Sequence, residues 1–133
     1  MKEATIERET KETKISISVK LDGNGQADIQ TGIGFFDHML TALSVHSGIS
    51  MQIHVQGDLH VDGHHTVEDT GIVLGKALGE ALGDKSGITR YGHAFIPMDE
   101  ALAFCSLDLS NRPFLVFQGP FSNAMIGQYD ACL

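Results

Sequence analysis

The histidines of this 133-residue chain are concentrated in one region, because six of the seven lie between positions 38 and 65. The densest group is DGHHTVED, residues 62–69, in which two adjacent histidines precede Glu68. Imidazole combined with carboxylate suits a first-row divalent ion such as Mn, Fe or Zn. The segment therefore favours a metal site. The alternative is a helix turn with two incidental histidines and a solvated acid.

If this segment is helical, His64 and Glu68 are four positions apart and lie side by side. His65 then projects about 100° away from His64, because each helical residue turns by that angle. One helix cannot easily direct both histidines to a single ion. The spacing instead predicts two metals, one bound by His64 and Glu68 and the other by His65.

His38 lies in another predicted helix, residues 35–46, whose apolar residues share one face. Those residues are Phe36, Met39, Leu40 and Leu43. His38 is more than about 100° from the middle of that face, so its side chain is predicted to point away from the core. It is either an ordinary surface histidine or a ligand in a site that a neighbouring subunit completes.

Three charged residues outside this region are also candidates, namely Glu12 in RETKET, Arg90, and Arg112 in LSNRP. A charged side chain beside a strand is usually solvated, and that is the ordinary interpretation of each. Arg90 and Arg112 together have the chemistry to clamp a phosphate, because guanidinium groups bind its oxygens bidentately. The sequences GNG and GIG lack the setting of a phosphate-binding loop.

The composition limits the class of protein. A hydrophobic content of 42% with 15 glycines is typical of a globular domain, and the formal charge of −8 argues against a nucleic-acid surface. No apolar run approaches the roughly 20 residues that cross a bilayer, and the charged N-terminus is no signal peptide. We therefore expect a cytoplasmic protein in which Cys105 and Cys132 are free thiols.

Hydrophobic periodicity predicts an α+β fold in the order ββ(β)αβα followed by βββ. Asp22-Gly23-Asn24-Gly25 predicts a hairpin turn between the second and third strands, and Gly48 predicts the end of the first helix. No closing element is predicted after Gln118. The predicted strands are 4–10, 14–21, 27–31, 50–56, 91–97, 101–109 and 113–118, and the predicted helices are 35–46 and 64–83.

The second helix has a predicted cap, an apolar stripe and a solvent face. Asp62 is the predicted N-cap. The predicted apolar stripe is Val67, Gly71, Leu74, Leu78 and Ala81. The predicted solvent face is Asp69, Lys76 and Glu80.

Several segments, in order and with similar spacing, closely resemble the imidazoleglycerol-phosphate dehydratase family. They are RETKET, TGIGFFDHML, HSG, DGHHTVEDTGIVLGKALGEALGDK, RYG, IPMDEALA and DLSNRPFLVF. The likeness covers almost the whole chain, and FDHML followed by HHTVED at this separation is highly specific. The resemblance implies a duplicated half-domain in which a four-stranded sheet packs on two helices, as in domain 2 of ribosomal protein S5. It places a first half-domain at 1–88 and the opening strands of an incomplete second one at 89–133.

The resemblance also implies roles for individual residues. It implies two Mn(II) ions per active site, bound from this half by His38, His64, His65 and Glu68, which also contact substrate. It implies that Arg90 and Arg112 bind the substrate phosphate, and that Glu12 binds substrate and is the catalytic acid and base. Trimers that assemble into a 24-subunit cage, with active sites between subunits, are implied as well.

The implied reaction is dehydration of D-erythro-imidazoleglycerol phosphate to imidazoleacetol phosphate, in histidine biosynthesis, through a metal-bound imidazolate. The second-half histidine and second HHxxE-type motif of the family are missing from this sequence. We therefore expect this chain alone to be inactive. The alternative is a non-catalytic, histidine-rich metal-binding or assembly module, which would not need Glu12 or the arginine pair.

Overall fold

The computed structural model describes residues 2–119 and 125–133, and a four-stranded mixed sheet is its largest element. The sheet has the order β1-β2-β4-β3, in which β3 runs parallel to β4 and the other neighbours are antiparallel. The bounds are β1 Glu3–Glu9, β2 Thr13–Lys20, β3 Ala27–Gln30, α1 Gly34–Ser47, β4 Ser50–Gly57 and α2 His64–Leu82. Helix α2 packs over β1 and β2, and α1 over β3.

Alternation in the two central strands produces the core. Ile17 of β2 lies directly opposite Ile53 of β4, and both side chains are fully buried. Val73 and Ala77 of α2 are fully buried in the same cluster. Because side chains alternate between the faces of a strand, the residues between these apolar positions form a polar outer face. The predicted strands 14–21 and 50–56 are confirmed to within one residue at each end.

The predicted hairpin between β2 and β3 is wrong, because β3 does not pair with β2. The loop is held at the start of β4 instead. The hydroxyl of Ser50 accepts hydrogen bonds from the backbone N–H groups of Asn24 and Gln26, each at 3.2 Å. The N–H of Gly25 donates to the carbonyl of Gly48 at 3.0 Å. These contacts direct β3 to the far side of β4, where the two strands are parallel.

The predicted faces of α2 are also wrong in part. Asp69, predicted on the solvent face, is 8% exposed, and Gly71, predicted in the apolar stripe, is exposed. The buried face includes Thr66 and Thr70, whose hydroxyl donates to the Thr66 carbonyl at 2.6 Å. An apolar pattern does not detect a face on which polar side chains are buried because they are hydrogen-bonded.

Helix α1 ends at Gly48, as predicted, where φ is 74° and glycine is favoured. Its predicted apolar stripe is only partly buried. Leu40 is buried, whereas Met39 and Leu43 are 47% and 46% exposed. Ser44 is buried on this helix instead. Its burial is tolerated because its hydroxyl donates a 2.7 Å hydrogen bond to the carbonyl of Ile49.

Residues 85–119 form a separate unit built on one antiparallel hairpin, β5 Tyr91–Met98 and β6 Ala101–Asp108. Phe95 and Phe104 face each other across it, with ring centroids 4.5 Å apart. The predicted strand at 113–118 is wrong, because these residues have no strand partner in the part of the chain described. Pro113 at its start also has no N–H to contribute to a ladder.

The expectation that no element follows Gln118 is wrong. Residues 125–133 cluster with the first unit and contain a short hairpin, β7 Met125–Ile126 and β8 Tyr129–Asp130. The Tyr129 ring packs on Phe35 and Phe36, at centroid distances of 5.3 and 6.0 Å. The half-domains at 1–88 and 89–133 remain a prediction. Neither helix in the described part of the chain could span a bilayer.

The core predicts the cost of truncating its central pair. Ile53→Ala should lower the free energy of unfolding by about 2–5 kcal/mol, because it removes buried methyl groups and leaves a cavity. The matched control is Val61→Ala, since Val61 is 64% exposed and its loss should change stability by no more than about 0.5 kcal/mol. Urea unfolding followed by circular dichroism measures both. Equal losses in the two variants would contradict the assigned core.

Candidate active site

The first turn of α2 holds the predicted His64–Glu68 pair in contact. His64 Nε2 lies 3.0 Å from Glu68 Oε2, and both side chains are 56% exposed. Asp62 was predicted as the N-cap, but that position is occupied by Gly63. Asp62 instead accepts a 2.8 Å hydrogen bond from the backbone N–H of His64 through Oδ1. The pair is therefore accessible, and its backbone is fixed at the helix start.

His65 turns away from that pair, as its position predicts, and is held by a different carboxylate. Its ring is perpendicular to that of His64, at 89° and 5.6 Å between centroids. His65 Nδ1 lies 2.8 Å from Oδ2 of Asp58, whose side chain is 13% exposed. This contact engages Nδ1 and leaves Nε2 as the nitrogen for a metal or substrate.

Asp58 also changes the acid–base behaviour of His65. The hydrogen bond to Asp58 raises the pKa of His65 above 6.5, although desolvation opposes it, and the charges of Asp58, Glu12 and Asp62 add to the rise. Glu12 therefore lies within electrostatic range of His65.

Glu12 itself is exposed in the turn between β1 and β2. The hydroxyl of Thr10 accepts hydrogen bonds from the backbone N–H groups of Glu12 and Thr13, each at 3.1 Å. The Thr13 hydroxyl donates to Asp69 Oδ2 at 2.6 Å, and Arg8 Nη1 lies 2.9 Å from Asp69 Oδ1. The turn that bears Glu12 is thus bonded to α2 directly after Glu68.

The Asp69 carboxylate is ionised in this arrangement. Burial works to raise its pKa, but hydrogen bonds from Thr13 and Arg8 and the positive charge of Arg8 outweigh burial and lower it. Breaking such a buried, hydrogen-bonded pair would leave an uncompensated charge.

His38 is exposed near the start of α1. The neighbouring Asp37 fixes this helix start, because its Oδ1 accepts hydrogen bonds from the N–H and the hydroxyl of Thr31 at 2.8 and 2.5 Å. The side chain of His38 points to solvent, as both interpretations of the sequence require.

Arg90 and Arg112 lie in the separate unit at 85–119. Arg90 bonds Asp108 bidentately, with Nε 2.7 Å from Oδ1 and Nη2 3.2 Å from Oδ2. This pairing, followed by the charge of Arg112, lowers the pKa of Asp108, although burial opposes it. Arg112 is exposed, and its backbone N–H donates to Ser110 Oγ at 3.3 Å.

Of the predicted residues, the first unit holds His64, His65 and Glu68 on one helix turn, and the turn that bears Glu12 is bonded to the same helix through Thr13 and Asp69. Within residues 2–119 and 125–133, no three histidine, cysteine, aspartate or glutamate side chains converge well enough to hold an ion. Asp58 was not among the residues predicted from the sequence, and Asp69 was predicted on the solvent face of α2, although it is buried. Asp58 carries no motif, and only its position seven residues before His65, at the end of β4, could have drawn attention to it.

Comparisons with known proteins agree on one family. The family model described as imidazoleglycerol-phosphate dehydratase matches residues 31–133. A relative of that name from Streptococcus thermophilus is 59% identical over 130 residues, which are 98% of this chain and 67% of that protein. The relative from Streptococcus mutans is 58% identical with the same coverage.

A solved structure supports the same likeness. The crystal structure of imidazoleglycerol-phosphate dehydratase from Staphylococcus aureus subsp. aureus N315 is similar with a TM-score of 0.84 and 41% sequence identity. The match covers 96% of this chain and 70% of that chain. The chain thus spans about two thirds of the length of the proteins it resembles.

The Asp58 contact predicts how His65 titrates in metal-free protein. His65 should hold its proton above the pH at which free imidazole loses it, and Asp58→Asn should lower its pKa. The stabilisation that this contact gives is fully present below pH 6.5 and is lost as pH rises through the raised pKa. Histidine-resolved NMR titration measures the shift, with Asp22→Asn as the control because Asp22 is remote from the causes of the shift. An unchanged titration in Asp58→Asn would contradict the assignment.

Proposed function

The chain belongs to the imidazoleglycerol-phosphate dehydratase family, and we propose that the protein catalyses the dehydration of D-erythro-imidazoleglycerol phosphate in histidine biosynthesis. The observation that carries the proposal is the first turn of α2. His64 and Glu68 face one direction there, and His65, fixed by Asp58, faces another. Two diverging donor groups on one helix turn suit a flat substrate ring whose two nitrogens lie on opposite sides.

The donor set fits divalent metal ions, and we propose Mn(II). The 3.0 Å between His64 Nε2 and Glu68 Oε2 suits two ligand atoms on one ion, since first-row metal bonds to nitrogen and oxygen are about 2.1 Å long. A metal-binding histidine usually donates its other ring N–H to a carboxylate, and Asp58 occupies that position at His65. His38 is the proposed further ligand. The described residues offer at most a pair at one place, so other donors must complete each site.

The chemical difficulty is a carbon-bound proton with no carbonyl beside it. Bound metal ions would lower the pKa of the substrate's imidazole ring. Glu12 then takes the side-chain proton, because it is an exposed carboxylate held in a bonded turn near His65. Glu12 delivers that proton to the departing hydroxyl, which leaves as water. The electron pair of the C–H bond becomes a carbon–carbon double bond, and the resulting enol becomes the ketone of imidazoleacetol phosphate.

The substrate phosphate is proposed to bind Arg90 and Arg112. Asp108 engages Nε and Nη2 of Arg90, which orients the guanidinium and leaves Nη1 for a phosphate oxygen. Arg112 is exposed and carries a full positive charge at neutral pH. Arg90 directly precedes β5 and Arg112 follows β6, so the hairpin sets their spacing within that unit.

We further propose that the protein acts in the cytoplasm and assembles into a cage in which subunits share active sites. Exposed ligands support the second point. His38, His64 and Glu68 all face solvent in the single chain, as residues completed by a neighbouring subunit would.

Glu12→Gln should retain substrate and metal binding but lose roughly 10²–10⁴-fold in kcat, because an amide cannot accept the proton. Steady-state kinetics with metal analysis on the intact gene product measures this. Glu9→Gln, an exposed acid on the preceding strand, is the matched control and should keep full activity. A Glu12→Gln enzyme within a few-fold of wild type would assign proton transfer to another group.

Arg112→Ala should raise KM and weaken inhibition by inorganic phosphate. Loss of a charge-assisted contact costs about 1.5–3 kcal/mol, or roughly 10- to 150-fold. Lys20→Ala removes a positive charge from the outer face of the sheet and should change neither constant. If Arg112→Ala and Arg90→Ala both leave KM unaltered, the phosphate clamp is wrong.

Metal and assembly should rise and fall together, because ligands from different subunits would meet at each ion. Chelation of the intact protein is expected to give small oligomers, and Mn(II) is expected to restore the large one. Acidification through the imidazole pKa of about 6.5 should also release metal, since bound histidine must be neutral. Light scattering with metal analysis tests this. A metal-free protein that keeps its large assembly would refute the intersubunit site.

A further inference from the structure

We propose that Thr13 and Asp69 form a tether that positions Glu12 against the metal-binding turn of α2. The inference rests on the proposed dehydratase function, because Glu12 acts as a base only in that reaction. Neither tether residue is proposed to touch substrate or metal, so both are positioning residues. Two observations carry the inference, namely the bonding inside the Glu12 turn and the bond from that turn to the helix.

The Glu12 turn is internally rigid because Thr10 uses its full hydrogen-bonding capacity. Its hydroxyl accepts from the N–H groups of Glu12 and Thr13 at 3.1 Å and lies 3.3 Å from the Thr13 hydroxyl. Thr13 donates its only hydroxyl proton to Asp69, so in the contact between the two threonine hydroxyls Thr10 must be the donor. The backbone closes the turn, since the N–H of Thr10 donates to the Thr13 carbonyl at 2.8 Å.

Residues on both strands that flank this turn, β1 and β2, bond to Asp69 of α2. The 2.6 Å bond from Thr13 to Asp69 has the length of a hydroxyl bonded to a charged carboxylate. Arg8, on β1, places Nη1 2.9 Å from Oδ1, the other oxygen of Asp69. Thr13 and Asp69 are 3% and 8% exposed, so water competes weakly for these bonds.

The position of Asp69 on α2 explains why the tether matters. Asp69 directly follows Glu68 and is four residues after His65, so it shares a helix face with His65. Thr13 directly follows Glu12. One buried hydrogen bond therefore sets the distance between the proposed base and the proposed ligands, while the Glu12 side chain remains exposed. A displacement of about 1 Å in such a group can cost on the order of 10²-fold in rate.

The first arm of the test measures the tether without activity. Thr13→Val keeps the side-chain shape but removes the hydroxyl, and Thr13→Ser keeps the hydroxyl. In Thr13→Val the amide protons of Thr10 and residue 13 should exchange with solvent roughly tenfold faster, because a charge-assisted bond is lost. Thr13→Ser should resemble wild type. The amide of Ile53, in the core, is the internal reference.

The second arm is a kinetic double-mutant cycle on the intact gene product. Thr13→Val should lower kcat on the order of 10- to 100-fold with little change in KM or metal content, and Thr13→Ser should restore most of it. In a Glu12→Gln background, Thr13→Val should have almost no further effect, because the tether acts through Glu12. Asp69→Asn is the second variant in case Thr13→Val folds poorly. It keeps the side-chain volume and is also expected to lower kcat.

Four results would overturn the inference or part of it. Unchanged amide exchange in Thr13→Val would remove the tether itself. Equal loss of kcat in the wild-type and Glu12→Gln backgrounds, or a loss that follows metal content, would make Thr13 a general stability residue. An intact wild-type protein without dehydratase activity would overturn the proposed function and the catalytic half of the inference, while the exchange arm would still decide whether the tether exists.

Discussion

The geometry of one helix turn constrains the rest of the site. Adjacent residues of an α-helix diverge by about 100°, so His64 and His65 cannot serve the same ion from α2. The i and i+4 relation instead pairs His64 with Glu68 at 3.0 Å. His65 is left facing Asp58, which engages Nδ1. The metal site proposed on this turn would therefore use two ions, with further donors from outside the turn.

A buried carboxylate holds that turn in place. Asp69 is on the face of α2 that covers β1 and β2, and its bonds to Thr13 and Arg8 compensate for burial. Replacing Thr13 or Arg8 would leave the buried Asp69 charge without a partner. The free-energy cost of such an unpaired charge exceeds the stabilisation that the pair provides. The same carboxylate thus joins the fold to the candidate site, because it bonds α2 both to β1 and to the turn that bears Glu12.

The sequence allowed much of this to be predicted. Alternation at Ile15, Ile17 and Val19 located a central strand, and the spacing of His64, His65 and Glu68 gave the divergence seen in the structure. The buried side of Asp69 could not be predicted, because polar burial depends on partners 56 residues away. The parallel pairing of β3 with β4 could not be predicted from DGNG. It is selected by hydrogen bonds from this loop to Ser50 at the start of β4, and turn propensity does not reveal them.

The most direct test of the account counts bound Mn(II) in the intact protein after single ligand changes. Wild type is predicted to bind two ions per active site, and His64→Ala and His65→Ala are each predicted to bind one, because the two histidines serve different ions. Electron paramagnetic resonance titration gives the stoichiometry directly. Retention of both ions in His65→Ala, or binding of a single ion by the wild type, would contradict the two-directional site.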